Sequence, residues 1–343
     1  MKYIWLHIMR SYISLGLFFY FKKIKVCNVE NVSKVKPVLL LSNHQNALLD
    51  ALLIATKCGR FTYFLTRAAV FKKPIIAKFL NSLQMIPVYR IRDGWGSISE
   101  NNAIFESCTN FLNKNEAISI FPEGNHNLKR TVRPLSKGFT RIVFGTLKKY
   151  PQLDLQLIPT GLNFRKAKAF PDSVSMYFGQ PIDAQDYNTG TENERVVKLK
   201  SKIQGDISQL TTNIPSEGYD EILQKLQTLN VDFLDPRAVN NCIETDFTDC
   251  EFKVIKPDSF VKKLIRVLTI CNLIAPFLIW KYVVKSKIKE EEFISTFRFA
   301  LCITLVPIWL LVLVLLISVT LGWFVGMSYL VCIILLMLLF VKW

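Results

Sequence analysis

The stretch Ser42-Asn43-His44-Gln45-Asn46-Ala47-Leu48-Leu49-Asp50 delivers a histidine and a carboxylate together where an aliphatic run gives way to a helix. An imidazole held by a carboxylate is a general base, because the carboxylate fixes the tautomer and stabilises the imidazolium formed when a hydroxyl proton is taken. Three further stations follow. Ile86-Pro87-Val88-Tyr89-Arg90-Ile91-Arg92-Asp93 ends a strand on two guanidinium groups, Arg90 and Arg92, which are suited to bidentate phosphate contact. Phe121-Pro122-Glu123-Gly124 stops a strand at a proline and sets an acid beside a glycine that lets a ligand approach the backbone. Leu157-Ile158-Pro159-Thr160-Gly161 is an apolar strand interrupted by proline. Competing chemistries lack their parts. Three histidines without HExxH, and cysteines without a CxxC pair, leave no zinc site, and serine catalysis lacks a G-x-S-x-G elbow. His126 reads as a polar loop residue.

The elements that must position these groups alternate along the chain. Strands are expected near Val38 to Leu41, Phe61 to Leu65, Ile86 to Tyr89, Ala117 to Phe121, Leu155 to Leu162 and Ser173 to Phe178. Helices are expected at Ala47 to Lys57, Pro74 to Leu83, Ser97 to Leu112 and Gly138 to Lys148. The alternation predicts an α/β domain with a mixed, largely parallel sheet and flanking helices, over about 30–215. Ligands gather at the carboxyl ends of such strands, where His44, Arg90 and Glu123 fall. Asn46 is the natural N-cap of the first of these helices, and an Asp50 one turn in leans back toward His44. Asn193 to Leu210 and Tyr219 to Leu229 read as polar surface helices, and within an acidic connector over 216–260 the stretch Asp232 to Asp258 reads as turn-rich.

The ends are apolar. Phe299 to Val341 is nearly uncharged and too long for one crossing of a hydrocarbon core of ~30 Å, so two spans are expected, 299–319 and 323–341, turning at Gly322 to Gly326. Leu264 to Val284, broken by Pro276, reads as a re-entrant or interfacial hairpin, with a third span as the alternative. The loop carrying Lys285, Lys287, Lys289 and Arg298 is cytoplasmic by the positive-inside rule, and the catalytic domain goes with it. Residues 1–25 suit an amphipathic helix lying in the membrane surface, with Tyr3, His7, Arg10, Ser11 and Ser14 on its polar face; no small-residue cleavage site marks a signal peptide.

The 343 residues carry a formal net charge of +16 and a mean hydropathy of +0.26. Lys129 to Lys168 holds ten basic residues against the single acid Asp154. No nucleic-acid-binding motif accompanies that charge, so the expected partners are anionic lipid and a phosphorylated substrate. The eight cysteines read as small hydrophobes in a reducing compartment and not as a disulfide framework.

The four stations, taken in order, resemble the glycerolipid acyltransferases, the family that acylates glycerol-3-phosphate, lysophosphatidate and related lysolipids. The resemblance covers roughly Pro37 to Asp186. It implies that His44 is the base on the acceptor hydroxyl and Asp50 its orienter, while Arg90 with Glu123 and Gly124 helps hold the glycerol phosphate; Asn43, Arg92, Arg133 and Lys137 are further candidate substrate contacts. The acyl donor, acyl-CoA or acyl carrier protein, is a substrate, and no metal or other cofactor is implied. Two departures stand out. Five residues, not four, separate His44 from Asp50, a spacing similar to that of fungal-type glycerol-3-phosphate acyltransferases with C-terminal spans. After Gly124 the chain reads Asn125-His126-Asn127, with Arg130 and Arg133 further on, where the family usually has Thr or Ser followed by Arg. Lysophosphatidate is placed narrowly ahead of glycerol-3-phosphate as acceptor; a non-catalytic lipid-binding protein on the same fold is the rival of a different class.

Overall fold

The computed structural model describes residues 2–89, 100–252 and 259–343; Arg90 and Arg92 lie outside the described residues. Eight strands among those residues form one sheet: β1 (Phe21–Cys27), β2 (Val38–Ser42), β3 (Thr62–Arg67), β4 (Met85–Val88), β5 (Ala117–Ile120), β6 (Gln156–Phe164), β7 (Asp172–Phe178) and β8 (Ile182–Asp183). Their order is β1-β7-β6-β2-β5-β3-β4, with β8 on β6. All pairings are parallel except β6 with β7 and with β8. This is the mixed, mostly parallel sheet that the alternation predicts. β2 sits at its centre, and every one of its residues is buried, as expected of a strand covered on both faces.

Helices α1 (Lys2–Tyr20) and α2 (Ala47–Lys57) cover one face, where Leu17, Leu49 and Leu53 pack on Val38, Leu40 and Ile158. Along the edge strands runs α3 (Pro74–Ser82). The other face carries α4 (Glu100–Asn113), α5 (Gly138–Lys149) and α6 (Glu192–Leu210), which pack on Leu39, Leu41 and Ile118. Gly161 has a structural reason to be glycine, since a Cβ there would land on the Leu210 carbonyl at the end of α6.

Three expectations need correcting. The N-terminal helix ends at Tyr20, and 21–25 begin an edge strand parallel to β7. Its Lys22, Lys23 and Lys25 give it a polar look, but charged residues are how an exposed sheet edge avoids pairing with other chains. The turn-rich stretch is not irregular throughout: α8 (Pro236–Glu244) forms within it and, with the expected helix α7 (Tyr219–Thr228), encloses a small core of Ile214, Tyr219, Leu226, Val231, Phe233 and Val239. Asp235 caps α8 through the Ala238 N–H, and Pro236 takes the first helical position, so a segment that reads as turns begins a helix instead. Within it Cys242 and Cys250 form a disulfide, against the expectation of reduced cysteines.

The C-terminal region holds α9 (Phe260–Asn272), α10 (Ile274–Leu278), α11 (Ile294–Leu321) and α12 (Trp323–Lys342). Two of its helices, Glu291–Leu321 and Trp323–Lys342, are long and apolar enough to cross a membrane. The start of α11 and the end of α12 both meet the α/β domain. Tyr20 donates to the Ser295 carbonyl, and Lys342 donates to that of Phe21. Gly322, at φ +93°, turns the chain between them. α9 and the segment after it bend by 93°. At the bend, Asn272 accepts hydrogen bonds from Trp309 Nε1 (2.9 Å) and the Tyr329 hydroxyl (3.1 Å), about halfway along α11. Trp280, beyond the bend, lies under the Arg298 guanidinium at the beginning of α11. The bend thus packs against the middle of α11, and the segment after it reaches the beginning of α11.

Candidate active site

β2 ends at Ser42, level with Thr160 of β6, and the next rung of the ladder is supplied by a side chain. The Asn43 amide accepts from the Leu162 N–H (2.8 Å) and donates to the Leu162 carbonyl (3.0 Å), pinning the loop to β6. Asn43 is thus placed to hold the loop, with both ends of its amide occupied. His44 follows, partly exposed. Its Nδ1 lies 2.8 Å from Oδ2 of Asp50, whose side chain is fully buried. Asp50 Oδ2 also accepts the Asn46 N–H at 2.8 Å, while Oδ1 has no hydrogen-bond partner. The expected Asn46 cap is inverted. The Asn46 side chain makes no cap bond and donates to the Ala167 carbonyl, and Asp50 takes up the backbone N–H at the helix start. The five-residue spacer is accommodated by Ala47 at φ +43°, a left-handed residue that turns the chain back so that His44 faces Asp50.

The imidazole plane is fixed by stacking. Phe121 lies parallel to His44, with ring centroids 4.0 Å apart and an interplanar angle of 13°. Phe121 follows β5, the parallel neighbour of β2, so adjacent strand ends carry the two rings. Glu123, buried, bonds Arg133 Nε at 2.6 Å and accepts the His44 backbone N–H. Burial pushes the Glu123 carboxyl above its ordinary range, against the pull of Arg133 and of that N–H. Arg133 is further fixed by the Asn125 carbonyl. Gly124, at φ +71°, has no neighbour within 4 Å of where a Cβ would stand, so its backbone borders open space. The loops are tied together: Asn127 donates to the His44 carbonyl (3.0 Å), and Gln45 donates to that of Leu128 (3.0 Å). Beside His44, a polar cavity of about 10 Å³ lined also by Asn43, Asn127 and Thr212 has room for roughly one water.

His44, Asp50, Asn43, Glu123, Gly124 and Arg133 thus converge. Lys137 does not line this cavity; it is exposed and borders an open groove of about 580 Å³ against α6. The fold adds groups that the motifs do not announce. The linker before α11 lies against the site, with Phe293 edge-on to His126 (4.8 Å) and His126 edge-on to His44 (5.6 Å). His126, Glu290 and Glu292 offer ligand atoms within 4.8 Å of one another, a grouping assembled from parts of the chain far apart in sequence. Lys168–Glu291, at 2.7 Å, ties the same linker to the loop after β6.

Residues 23–162, which contain all four stations, match the family model described as Acyltransferase. That match and the order of the four stations support the resemblance to the glycerolipid acyltransferases. Relatives in Saccharomyces cerevisiae are glycerol-3-phosphate O-acyltransferase 1, 25% identical over 136 residues, and glycerol-3-phosphate O-acyltransferase 2, 24% identical over 128 residues. These matches take in 38% and 36% of this chain but only 18% and 17% of the yeast proteins, so the chain shares less than a fifth of their length. A solved structure of the 1-acyl-sn-glycerophosphate acyltransferase PlsC from Thermotoga maritima superposes with a TM-score of 0.45 at 16% identity, over 61% of this chain and 80% of that chain.

Proposed function

We propose that this acyltransferase is a membrane-bound enzyme of phospholipid synthesis that moves a fatty acyl group from an acyl thioester to a hydroxyl of a glycerol phosphate. The observation that carries the proposal is the His44–Asp50 contact. Nδ1–H donates to the carboxylate, which leaves Nε2 as the lone-pair nitrogen that takes the acceptor proton. The alkoxide oxygen attacks the thioester carbonyl, the C–S bond breaks, and the imidazolium returns its proton to the departing thiolate. Asp50 stabilises the imidazolium between the two transfers. The acceptor phosphate is held by Arg90 and Arg92, with Arg133, Glu123 and Gly124 shaping the wall beside His44. No step calls for a metal. Acyl-CoA or acyl carrier protein is the donor substrate.

The two named yeast relatives and the five-residue spacer favour glycerol-3-phosphate as acceptor. The second reading, 1-acylglycerol-3-phosphate, is favoured by apolar surface close to the site: Leu48, four residues from His44, is 40% exposed. We place α11 and α12 across the bilayer, α9 and α10 as a re-entrant pair, and the α/β domain with the lysine-rich linker on the cytoplasmic face. The test is thiol release by purified enzyme in vesicles, with glycerol-3-phosphate and its 1-acyl derivative offered side by side. His44→Ala should fall to background with either acceptor, and full turnover by that variant would overturn the mechanism.

A further inference from the structure

Helix α3 has no buried residue, although five of its nine residues are Ile75, Ile76, Ala77, Phe79 and Leu80. Ile75 is 85% exposed, and Ile76, Phe79 and the preceding Val70 are each more than 40% exposed. A helix this apolar, left uncovered by the described residues, marks an interaction surface. Its surroundings say which kind. Lys72, Lys73 and Lys78 are exposed on and around the helix, the arrangement of cations flanking an apolar face that suits an anionic lipid surface.

The patch is also continuous with the membrane-facing part of the molecule. Trp5 of α1 packs edge-on against Phe79 (6.5 Å) and donates to Ser82 Oγ (3.1 Å). From there α1 is turned inside out relative to a helix on a soluble domain. Arg10 and Ser14 face α2, bonded to the Thr56 carbonyl and to Lys57, while Ile4, Ile8, Tyr12, Leu15 and Phe18 point outward and exposed. Midway along that row, the Tyr12 hydroxyl donates to the Ile303 carbonyl of α11. One apolar strip therefore runs from the candidate span α11, along α1, to α3. The position is also functional, because the 3₁₀ turn Ala68–Phe71 leading to α3 follows the carboxyl end of β3, on the edge of the sheet where His44 stands.

We propose that α3 is a second membrane-inserted element: its Val70–Ile75–Ile76–Phe79 face enters the interfacial region of an anionic leaflet, Lys72, Lys73 and Lys78 contact the headgroups, and the mouth of the site opens onto the lipid surface. This rests on the proposal that α11 crosses the bilayer, and the test separates the two. An environment-sensitive fluorescent amino acid is placed, one position at a time, at Ile75, at Leu311 of α11 and at Val197 of α6 on the opposite sheet face. The full chain is then reconstituted in vesicles containing phosphatidylglycerol and either shallow or deep nitroxide lipids.

The shallow nitroxide should quench position 75 within about twofold of the deep nitroxide's effect at 311, and aqueous iodide should reach only 197. Quenching at 311 with iodide access at 75 overturns the α3 proposal alone, as does protection of 75 from both quenchers, which means that protein covers it. Iodide access at 311 overturns the membrane reading itself. As a functional arm, the pair Ile75→Asp and Phe79→Asp should raise KM for a vesicle-partitioned long-chain acyl thioester about tenfold or more while leaving KM for a short-chain, water-soluble thioester within about twofold. Equal effects on both overturn the opening onto lipid.

Discussion

Replacing Asp50 by asparagine separates the carboxylate's charge from its shape, and the structure gives the size of the effect. Oδ2 accepts two hydrogen bonds, from His44 Nδ1 and from the Asn46 N–H, each 2.8 Å. The backbone N–H can bond only an oxygen at that position, so it selects the asparagine orientation in which the amide oxygen faces His44. The imidazole keeps its tautomer, and only the charge is lost. A hydrogen bond to a charged partner contributes ~1.5–3 kcal/mol, so kcat should fall by roughly 10- to 150-fold and not by the ~10⁴ of a wrong tautomer. The amide nitrogen then occupies the place of Oδ1, which has no partner in its buried pocket, at a stability cost of about 1–3 kcal/mol. Asp50→Ala lacks both the charge and the orienting oxygen and should lose more. The assay is saturating-donor thiol release together with the melting midpoint in detergent. If Asp50→Asn turns over within about twofold of the wild type, or falls as far as His44→Ala, the assignment of Asp50 as orienter is refuted.

Two further outcomes follow from buried charges. Glu123 and Arg133 form one unit, so in a double-mutant cycle on kcat/KM the pair Glu123→Gln and Arg133→Ala should be non-additive by about 1–3 kcal/mol; additivity within experimental error would mean that they act separately. Asp172, next to the loop that receives Asn46, has its carboxyl pushed by burial from 3.8 up to about 6. The folded state therefore holds a proton that the unfolded chain has already released between about pH 4 and about pH 6, so stability falls as pH rises through that window. Because a pKa unit is ~1.4 kcal/mol, Asp172→Asn should gain up to about 3 kcal/mol on the wild type between pH 4 and pH 7.5, read as a widening difference in melting midpoint; a constant difference would show that Asp172 ionises normally.

What could be read from the chain was local. His44 and Asp50 are six residues apart, and the lean of helical side chains is enough to predict that they meet, although the loop is then fixed by Leu162 and Phe121. The strands of the central sheet are legible for a similar reason, since residues buried on both faces leave continuous apolar runs such as Val38–Ser42. β1 was not legible, because its position at the edge tolerates three lysines where a central strand has none. Asn46 has the chemistry of a cap, but its side chain is drawn to Ala167, 121 residues away, a partner that propensity does not see.

The least legible feature bears most directly on the proposed chemistry. Phe293 and Glu290 come from a linker that composition assigns only to the membrane region, yet they sit against His126, whose ring in turn meets His44. That juxtaposition depends on α11 beginning beside the loop after β6, where Ser295 Oγ donates to the Ala167 carbonyl and Arg298 to that of Lys168. Ala167 also receives Asn46, so a single loop carbonyl is shared by the start of the catalytic helix and the start of the candidate span. The loop that carries Ala167 therefore holds the segment preceding α2 and the start of α11 in one place, which is why the linker reaches His126.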